Sequence, residues 1–290
     1  MKPITALKLG RVSNLPTVWT NTLAGAVLAG AGNFGAELVV MLLAFSLFYV
    51  GGMFLNDAFD AEFDARERPE RPIPSGEIGR GSVFGYGFAM MAAGVLLLVW
   101  IGYGFAPRTG LWPALGGLAL AGAITFYDAY HKNNPLSPVV MGLCRVLVYV
   151  AAALCYATVL PNGLWAGCVM MLCYLIGLTY IAKQENLAQV ENLWPLLFLA
   201  VPAAYGLWLF ASHWAVVFVW LLFTAWVLVA LWFLRRRQQG DIPRAVVSLI
   251  AGISLLDAML IAGAGSVALA VLALVGFGLT LAFQRYISGT

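Results

Sequence analysis

The sequence predicts an all-α protein, a polytopic bundle of transmembrane helices that forms one domain over residues 1–290. Two observations predict this fold class. Hydrophobic residues make up 62% of the chain and charged residues only 10%, far from the balance of a soluble domain. The apolar residues also form ten segments, each close to the roughly 20 residues that cross a bilayer as a helix. These segments lie at about residues 16–33, 38–56, 82–103, 111–128, 138–158, 164–182, 193–211, 214–234, 245–263 and 267–285.

The distribution of basic residues predicts the orientation of the bundle. When the ten segments cross the membrane alternately, fourteen of the sixteen Lys and Arg residues fall on one side. Arg108 falls on the other side, and Arg145 lies inside the fifth segment. Because cytoplasmic loops carry the excess of basic residues, we expect an integral, multi-pass protein whose N-terminus and Asp-rich loops are cytoplasmic.

One polar stretch, residues 56–76, interrupts the apolar chain and holds six of its thirteen acidic residues. On one continuous helix, Asp57, Asp60 and Asp64 would share a narrow stripe, with Asn56 beside it. Three neighbouring carboxylates repel each other unless a cation lies between them. Oxygen ligands combined with phosphate oxygens suit Mg²⁺, so the stripe predicts a magnesium–phosphate site. The alternative is a solvated helix end whose charges have no binding role.

A stiff loop follows the acidic stretch. Pro69, Pro72 and Pro74 end the helix and restrict the backbone of the loop. The loop also carries Arg71, which places a positive charge close to the carboxylates. Carboxylates beside an arginine at the end of a membrane helix indicate a site for a metal-bound phosphate group.

The segment NDAFDAEFD at residues 56–64, followed by RPIPSG at residues 71–76, resembles the first aspartate-rich motif of a known family. This is the UbiA superfamily of intramembrane prenyltransferases, of the 4-hydroxybenzoate polyprenyltransferase type. The resemblance implies a core of nine helices, so the segment at residues 267–285 is expected to form a tenth. It also implies Mg²⁺-dependent transfer of a prenyl group from a prenyl diphosphate to a lipophilic acceptor, which we expect to be aromatic.

The resemblance implies roles for particular residues. The expected Mg²⁺ ligands all carry side-chain oxygens: Asn56, Asp57, Asp60, Asp64 and Glu185. Most residues expected to bind the substrates carry positive charge or hydrogen-bonding groups: Arg11, Asn14, Arg71, Tyr127, Lys132, Arg145 and Lys183. Asp60, Asp64 and Lys132 are the expected catalytic residues. The expected partners are the two substrates and membrane lipids, with no nucleic acid.

The sequence departs from the family at the second aspartate-rich motif, which is usually Asp-x-x-x-Asp. The corresponding stretch, residues 183–191, reads KQENLAQVE and contains no aspartate. Glu185 is the best match to the first position and Gln189 would occupy the second, with Gln184 and Glu191 as nearby alternatives. The site would therefore hold less negative charge than is usual in the family. This departure supports an alternative function, a non-catalytic membrane protein that binds or carries prenyl lipids.

Several polar residues near or inside the apolar segments have both a functional and a structural interpretation. Arg11 and Asn14 could line a cavity or pack against a neighbouring helix. Lys132 follows a tyrosine-containing turn similar to that of the family, but it also fits the positive-inside distribution and could pair with Asp128. Arg145 could face a polar interior or extend to the membrane interface.

Asp257 lies in the middle of the ninth segment, within the sequence ISLLDAML. A charge in that position is costly, so this carboxyl group is expected to be either protonated or hydrogen-bonded inside the bundle. The sequence alone does not identify a partner, and Asp257 is a further candidate site residue.

Overall fold

The computed structural model describes residues 2–132, 134–183, 194–236 and 238–287, which form helices and no strand. Two of the helices are short: α1 (Pro3–Leu9) and α4 (Ala61–Glu67). The others follow in chain order: α2 (Leu15–Leu28), α3 (Ala36–Phe59), α5 (Arg80–Gly104), α6 (Trp112–Tyr130), α7 (Ser137–Leu154), α8 (Asn162–Lys183), α9 (Ala200–Leu209), α10 (Ala215–Arg236), α11 (Asp241–Gly263) and α12 (Val267–Gln284).

Each of the ten predicted apolar segments corresponds to a helix, which confirms the all-α prediction. Among the described residues, seven helices are long and apolar enough to cross a membrane, namely α3, α5, α7, α8, α10, α11 and α12. The expected tenth helix, α12, is one of them. Helix α2 ends earlier than predicted, and the left-handed backbone of Gly30 (φ 95°) follows its end. Helix α9 extends the 3₁₀ helix Trp194–Leu199, and the two together remain shorter than the seven spans.

Helix α11 forms the centre of the bundle. All twelve consecutive residues from Ala251 to Ala262 are buried, so this helix has no face toward lipid along that length. A helix that is apolar on all sides needs neighbours on all sides, and α11 packs against α2, α8, α10 and α12. Asp257 lies in the middle of this buried stretch.

Two apolar clusters meet along α2 and α7. The first contains residues of α8, α10, α11 and α12, and the second contains residues of α3, α5 and α6. Helix α2 contributes Leu23 to the first and Val18 to the second, while α7 contributes Val146 and Val148 respectively. The bundle therefore has two packed parts, and α2 and α7 form the seam between them.

The acidic stretch does not lie on one straight helix, so the prediction of a continuous stripe is wrong at Asp60. Helix α3 ends at Phe59 and α4 begins at Ala61, with Asp60 between them. The Asp60 N–H still donates to the Asn56 carbonyl oxygen at 2.9 Å, so the two helices remain connected by hydrogen bonds. The helix is therefore interrupted between the positions of Asp57 and Asp64.

We expect Gly25→Ala to destabilise the protein, because Gly25 of α2 lies directly against the backbone of α7. A Cβ atom at this position would lie 2.5 Å from the carbonyl oxygen of Tyr149. Such a contact forces the two helices apart, at a cost of roughly 1–3 kcal/mol. Thermal unfolding of the purified protein in detergent would measure the loss as a lower midpoint.

Gly122→Ala is the matched control, since Gly122 of α6 has open space around the added Cβ. Alanine favours the helix over glycine by about 1 kcal/mol, so this variant should unfold at the same temperature or higher. Equal midpoints for Gly25→Ala and the unmodified protein would contradict the close approach of α2 and α7.

Candidate active site

A cavity of about 700 Å³ lies at the seam between the two packed parts. Its wall is formed by α2, α3, α4, α6, α7, α8 and α11, together with loop residues at the ends of these helices. The cavity begins among charged side chains near the last turns of α3 and α6, and it extends into the bundle. It therefore combines a polar end and an apolar end.

The polar end has an excess of positive charge. Within the described ranges, six Lys and Arg residues and three Asp residues line the cavity. The basic ones are Arg11, Arg68, Arg71, Lys132, Arg145 and Lys183, and the acidic ones are Asp60, Asp64 and Asp128. A concave site with such a balance attracts an anionic ligand.

Arg71 connects two carboxylates of the acidic motif. Its Nη1 lies 2.8 Å from Oδ2 of Asp64 and 3.3 Å from Oδ1 of Asp57. Arg11 contacts the same oxygen of Asp57 through Nη2 at 3.0 Å. The side chains of Asp57 and Asp64 are only 8% and 3% exposed, so these carboxylates need counter-charges in order to be buried.

Asp60 has a different set of partners. Lys132 Nζ lies 2.7 Å from Oδ1 of Asp60, and His131 Nε2 lies 3.5 Å from Oδ2. The structure pairs Lys132 with Asp60 rather than with the alternative partner Asp128, since α6 ends at Tyr130 and Lys132 lies beyond the helix. Asp128 instead accepts a hydrogen bond from Asn56 Nδ2 at 3.1 Å.

Sequence reasoning misses His131, since a lone histidine in a loop gives no signal of its own.

Burial by itself would raise the pKa of Asp60, but hydrogen bonds from His131 and Lys132 outweigh it and lower that pKa below 3.8. Burial by itself would lower the pKa of His131, but the hydrogen bond to Asp60 raises it above 6.5. Each partner therefore favours the charged form of the other.

Two predicted basic residues lie on other walls of the cavity. Arg145 lies eight residues beyond Ser137, where α7 begins, which is about 12 Å along the helix axis. Its Nη1 donates to Oδ1 of Asn21 at 2.8 Å, and its Nη2 donates to Oγ1 of Thr17 at 3.1 Å. Lys183, the last residue of α8, donates to Oγ of Ser137 at 2.9 Å.

Asn14 and Tyr127 also line the cavity, as expected for residues near the substrate. Asn14 Oδ1 accepts a hydrogen bond from Gln284 Nε2 at 3.0 Å, so the last turn of α12 contacts the site. The Tyr127 ring stacks on His131, with ring centroids 5.0 Å apart. Glu185 and Gln189, the expected residues of the second motif, lie outside the described residues.

The inner end of the cavity is apolar. It is lined by side chains from both packed parts of the bundle, including Val18, Phe45, Phe48, Leu120, Val148, Leu175 and Ile253. Phe45 lies fourteen residues before Phe59, the end of α3, which corresponds to about 21 Å along the helix. The cavity can therefore hold an amphiphile with an anionic head and a long apolar chain.

The donor chemistry of the acidic motif fits Mg²⁺. Asn56, Asp57, Asp60 and Asp64 offer only oxygen ligands, which this ion prefers. In the part of the chain that is described, no three His, Cys, Asp or Glu side chains already converge as a metal-binding group. Basic side chains hold these carboxylate oxygens instead, as described above.

A family model matches most of the chain. Residues 18–253 match the model of the UbiA prenyltransferase family, which covers more than half of the chain. The chain belongs to the UbiA prenyltransferase family. Together with the seven apolar spans, this membership identifies an integral, multi-pass membrane protein.

Curated relatives of this UbiA family member carry one recurrent name. A digeranylgeranylglyceryl phosphate synthase from Ignicoccus hospitalis is 33% identical over 161 residues, which cover 56% of this chain and 48% of the relative. A protein of the same name from Methanopyrus kandleri is 38% identical over 90 residues, which cover 31% and 32% respectively. The chain thus spans about half or less of the length of these relatives.

Solved structures of other family members share the fold. A UbiA homologue from Archaeoglobus fulgidus bound to GPP and Mg²⁺ superposes with a TM-score of 0.64 at 15% identity, covering 91% of this chain and 99% of the other. A UbiA homologue from Aeropyrum pernix gives a TM-score of 0.62 at 14% identity, covering 85% and 97%. At these identities the likeness shows the fold alone.

The contact between His131 and Asp60 predicts a specific pH dependence. We expect His131 to titrate above 6.5, and its pKa to fall in Asp60→Asn, because the carboxylate stabilises the imidazolium. A histidine whose pKa is raised on folding stabilises the protein fully below about pH 6.5, and this contribution is lost as the pH rises through the raised pKa.

Nuclear magnetic resonance of labelled histidine would measure both titrations, with His131→Gln to assign the signal. The other histidine, His213, lies outside the cavity and is the internal control for a general effect of the substitution. An identical midpoint for His131 with and without the Asp60 carboxylate would contradict the contact.

Proposed function

We propose that this protein transfers a prenyl group from a prenyl diphosphate to a lipophilic acceptor within the membrane and releases diphosphate. The observation that supports this proposal is the single cavity that joins a cationic, carboxylate-bearing end to an apolar interior. A prenyl diphosphate has the same two parts, a highly charged head and an apolar chain. The family and the names of the curated relatives agree with this reaction class.

The acidic motif is the proposed magnesium site. Asn56, Asp57, Asp60 and Asp64 would hold Mg²⁺, and Glu185 is proposed as a further ligand from the second motif. When bound, the metal supplies positive charge to the diphosphate oxygens, where negative charge develops as the bond to the prenyl carbon breaks. The solved relative with GPP and Mg²⁺ supports this cofactor for the family.

The basic residues of the polar end are proposed to bind and orient the diphosphate. Arg71 and Lys132 contact the motif carboxylates directly, so they lie where the head group would be held. Lys183 lines the same end from α8, while Arg11 and Arg145 lie on the wall formed by the N-terminal turn and α7. These cations stabilise the leaving diphosphate without a proton transfer.

The apolar interior is proposed to hold the prenyl chain and to exclude water. An allylic cation that forms when the diphosphate leaves would react with water in a wet site. Tyr127 lies beside the polar end of the cavity, and its ring face is suited to stabilise such a cation. Asn14, at the start of α2, would contact the acceptor or the diphosphate by hydrogen bonding.

We propose that the N-terminus and the acidic motif face the cytoplasm and that residues 1–290 act as one domain. The fourteen basic residues expected on that side of the membrane support this orientation. A water-soluble diphosphate product would then leave toward the cytoplasm. Membrane lipids and both substrates are the proposed partners.

The acidic motif gives the first test of this function. Asp60→Ala or Asp64→Ala should reduce Mg²⁺-dependent release of diphosphate by at least about a hundredfold, because each change removes a carboxylate from the site that stabilises developing charge. Release would be measured in membranes supplied with prenyl diphosphates of several chain lengths and an acceptor. A chelator should stop the reaction, and added Mg²⁺ should restore it.

Glu62→Ala is the matched control on the same short helix, α4. The Glu62 side chain is 82% exposed and pairs with Arg80, away from the cavity. This variant should retain the activity of the unmodified protein. Unchanged turnover in both aspartate variants would reject the metal site, whereas tight binding of a prenyl diphosphate with no turnover in the unmodified protein would favour a carrier.

The acceptor is the subject of a second test. We propose an aromatic acceptor, such as 4-hydroxybenzoate, in which a ring carbon attacks the prenyl carbon. The name shared by the curated relatives favours geranylgeranylglyceryl phosphate as the competing candidate. Mass spectrometry of reactions with each acceptor would decide between them, since the aromatic proposal requires a prenylated ring and fails if only the glyceryl phosphate is modified.

A further inference from the structure

Arg145 lines the cavity without a carboxylate against it. Its two hydrogen-bond partners, Asn21 and Thr17, both belong to α2, and both are uncharged. Among the described residues, no Asp or Glu oxygen forms an ion pair with this guanidinium, whereas Arg11 and Arg71 each contact one or more carboxylates. The charge of Arg145 is therefore less compensated by direct contacts than that of Arg11 or Arg71.

One amide group, that of Asn21, joins Arg145 to the carboxylate of Asp257 on α11. Asn21 Nδ2 donates to Oδ2 of Asp257 at 2.8 Å, while Asn21 Oδ1 accepts from Arg145 at 2.8 Å. An ionised carboxylate only accepts hydrogen bonds and a guanidinium only donates them, so the amide can satisfy both partners in one orientation alone. Asp257 thus sets the orientation of the Asn21 amide, and Asn21 in turn holds one edge of the Arg145 guanidinium.

Asp257 is itself held in place. It is fully buried, Thr20 Oγ1 lies 2.5 Å from its Oδ2, and the Tyr149 hydroxyl donates to its Oδ1. These donors come from α2 and α7, the two helices of the seam, while Asp257 belongs to the central helix. The carboxylate is therefore anchored from two sides at a position that does not reach the guanidinium.

We propose that Asp257 is a positioning residue that acts through Asn21 to hold the Arg145 guanidinium at the cavity wall, open to an oxyanion of the bound substrate. The inference rests on the proposed function and extends it to a buried carboxylate outside the acidic motif. The oxyanion belongs either to the diphosphate or to an acid group of the acceptor. A direct ion pair between Asp257 and Arg145 would compete with that oxyanion, whereas the intervening amide leaves the guanidinium available.

Exchanging the two side chains tests this arrangement. The double variant Asn21→Asp with Asp257→Asn keeps the net charge and nearly the same volume, but it places the carboxylate directly against Arg145. We expect the dissociation constant to rise about tenfold for one of two probes, the non-reactive geranyl S-thiolodiphosphate with Mg²⁺ or 4-hydroxybenzoate. Arg145→Gln should weaken binding of the same probe, and the identity of that probe shows which substrate carries the oxyanion. Titration calorimetry in detergent would measure the dissociation constants of both probes.

A double-mutant cycle gives a measurement that does not depend on the exchanged variant folding. Asn21→Ala alone should weaken binding of the affected probe. In the Arg145→Gln background it should cause no further loss of affinity, because Asn21 acts through Arg145. Asp241→Asn is the control on the same helix, since Asp241 is buried against Arg236 away from the cavity. Its probe affinities should stay within about twofold of the unmodified protein.

Two results would overturn this positioning role while the proposed function survives. One is unchanged affinity for both probes in the exchanged variant, and the other is an equal further loss from Asn21→Ala in the Arg145→Gln background. If the unmodified protein binds neither probe, the proposed function fails as well, and the two failures are thereby distinguished.

Discussion

The burial of carboxylates inside an apolar bundle is the constraint on which this structure depends. An isolated buried carboxylate costs several kcal/mol, so each one needs cations or hydrogen-bond donors. Arg71 returns from the loop after α4 to contact Asp57 and Asp64, and Arg11 reaches Asp57 from the N-terminal turn. Arg11 does so with a left-handed backbone (φ 41°), a conformation that costs a non-glycine residue about 1 kcal/mol or more. Charge compensation therefore determines where three separate segments meet.

The same constraint explains why the seam carries the chemistry. Helices α2 and α7 contribute apolar side chains to both packed parts. Their polar side chains include Arg145, which lines the cavity, and Thr20, Asn21 and Tyr149, which bind Asp257. A polar residue on a lipid-facing helix would have no partner, whereas Thr17, Thr20 and Asn21 of α2 lie where α7 and α11 supply hydrogen-bond partners. The proposed prenyl chain and its diphosphate would thus lie between the two packed parts of the bundle.

The structure also shows why some site residues can be recognised from sequence and others cannot. Asp57, Asp60 and Asp64 stand out because they are concentrated in a short polar stretch of an otherwise apolar chain. His131 and Gln284 give no such signal, yet they contact Asp60 and Asn14. Lone polar residues in a loop or at a helix end have many uses, and only their neighbours in space distinguish these uses.

Sequence alone determined that the chain forms a bundle of apolar helices, that α12 is one of them, and that one acidic motif carries the resemblance to the family. Hydropathy and motif spacing are local properties, so they can be read along the chain. Only the tertiary structure decided that Lys132 pairs with Asp60, that the helix breaks at Asp60, and that Asp257 is bound by Tyr149 and two residues of α2. Most of these contacts join residues far apart in the chain, and the packing of α2, α7 and α11 alone brings the partners of Asp257 within hydrogen-bonding distance.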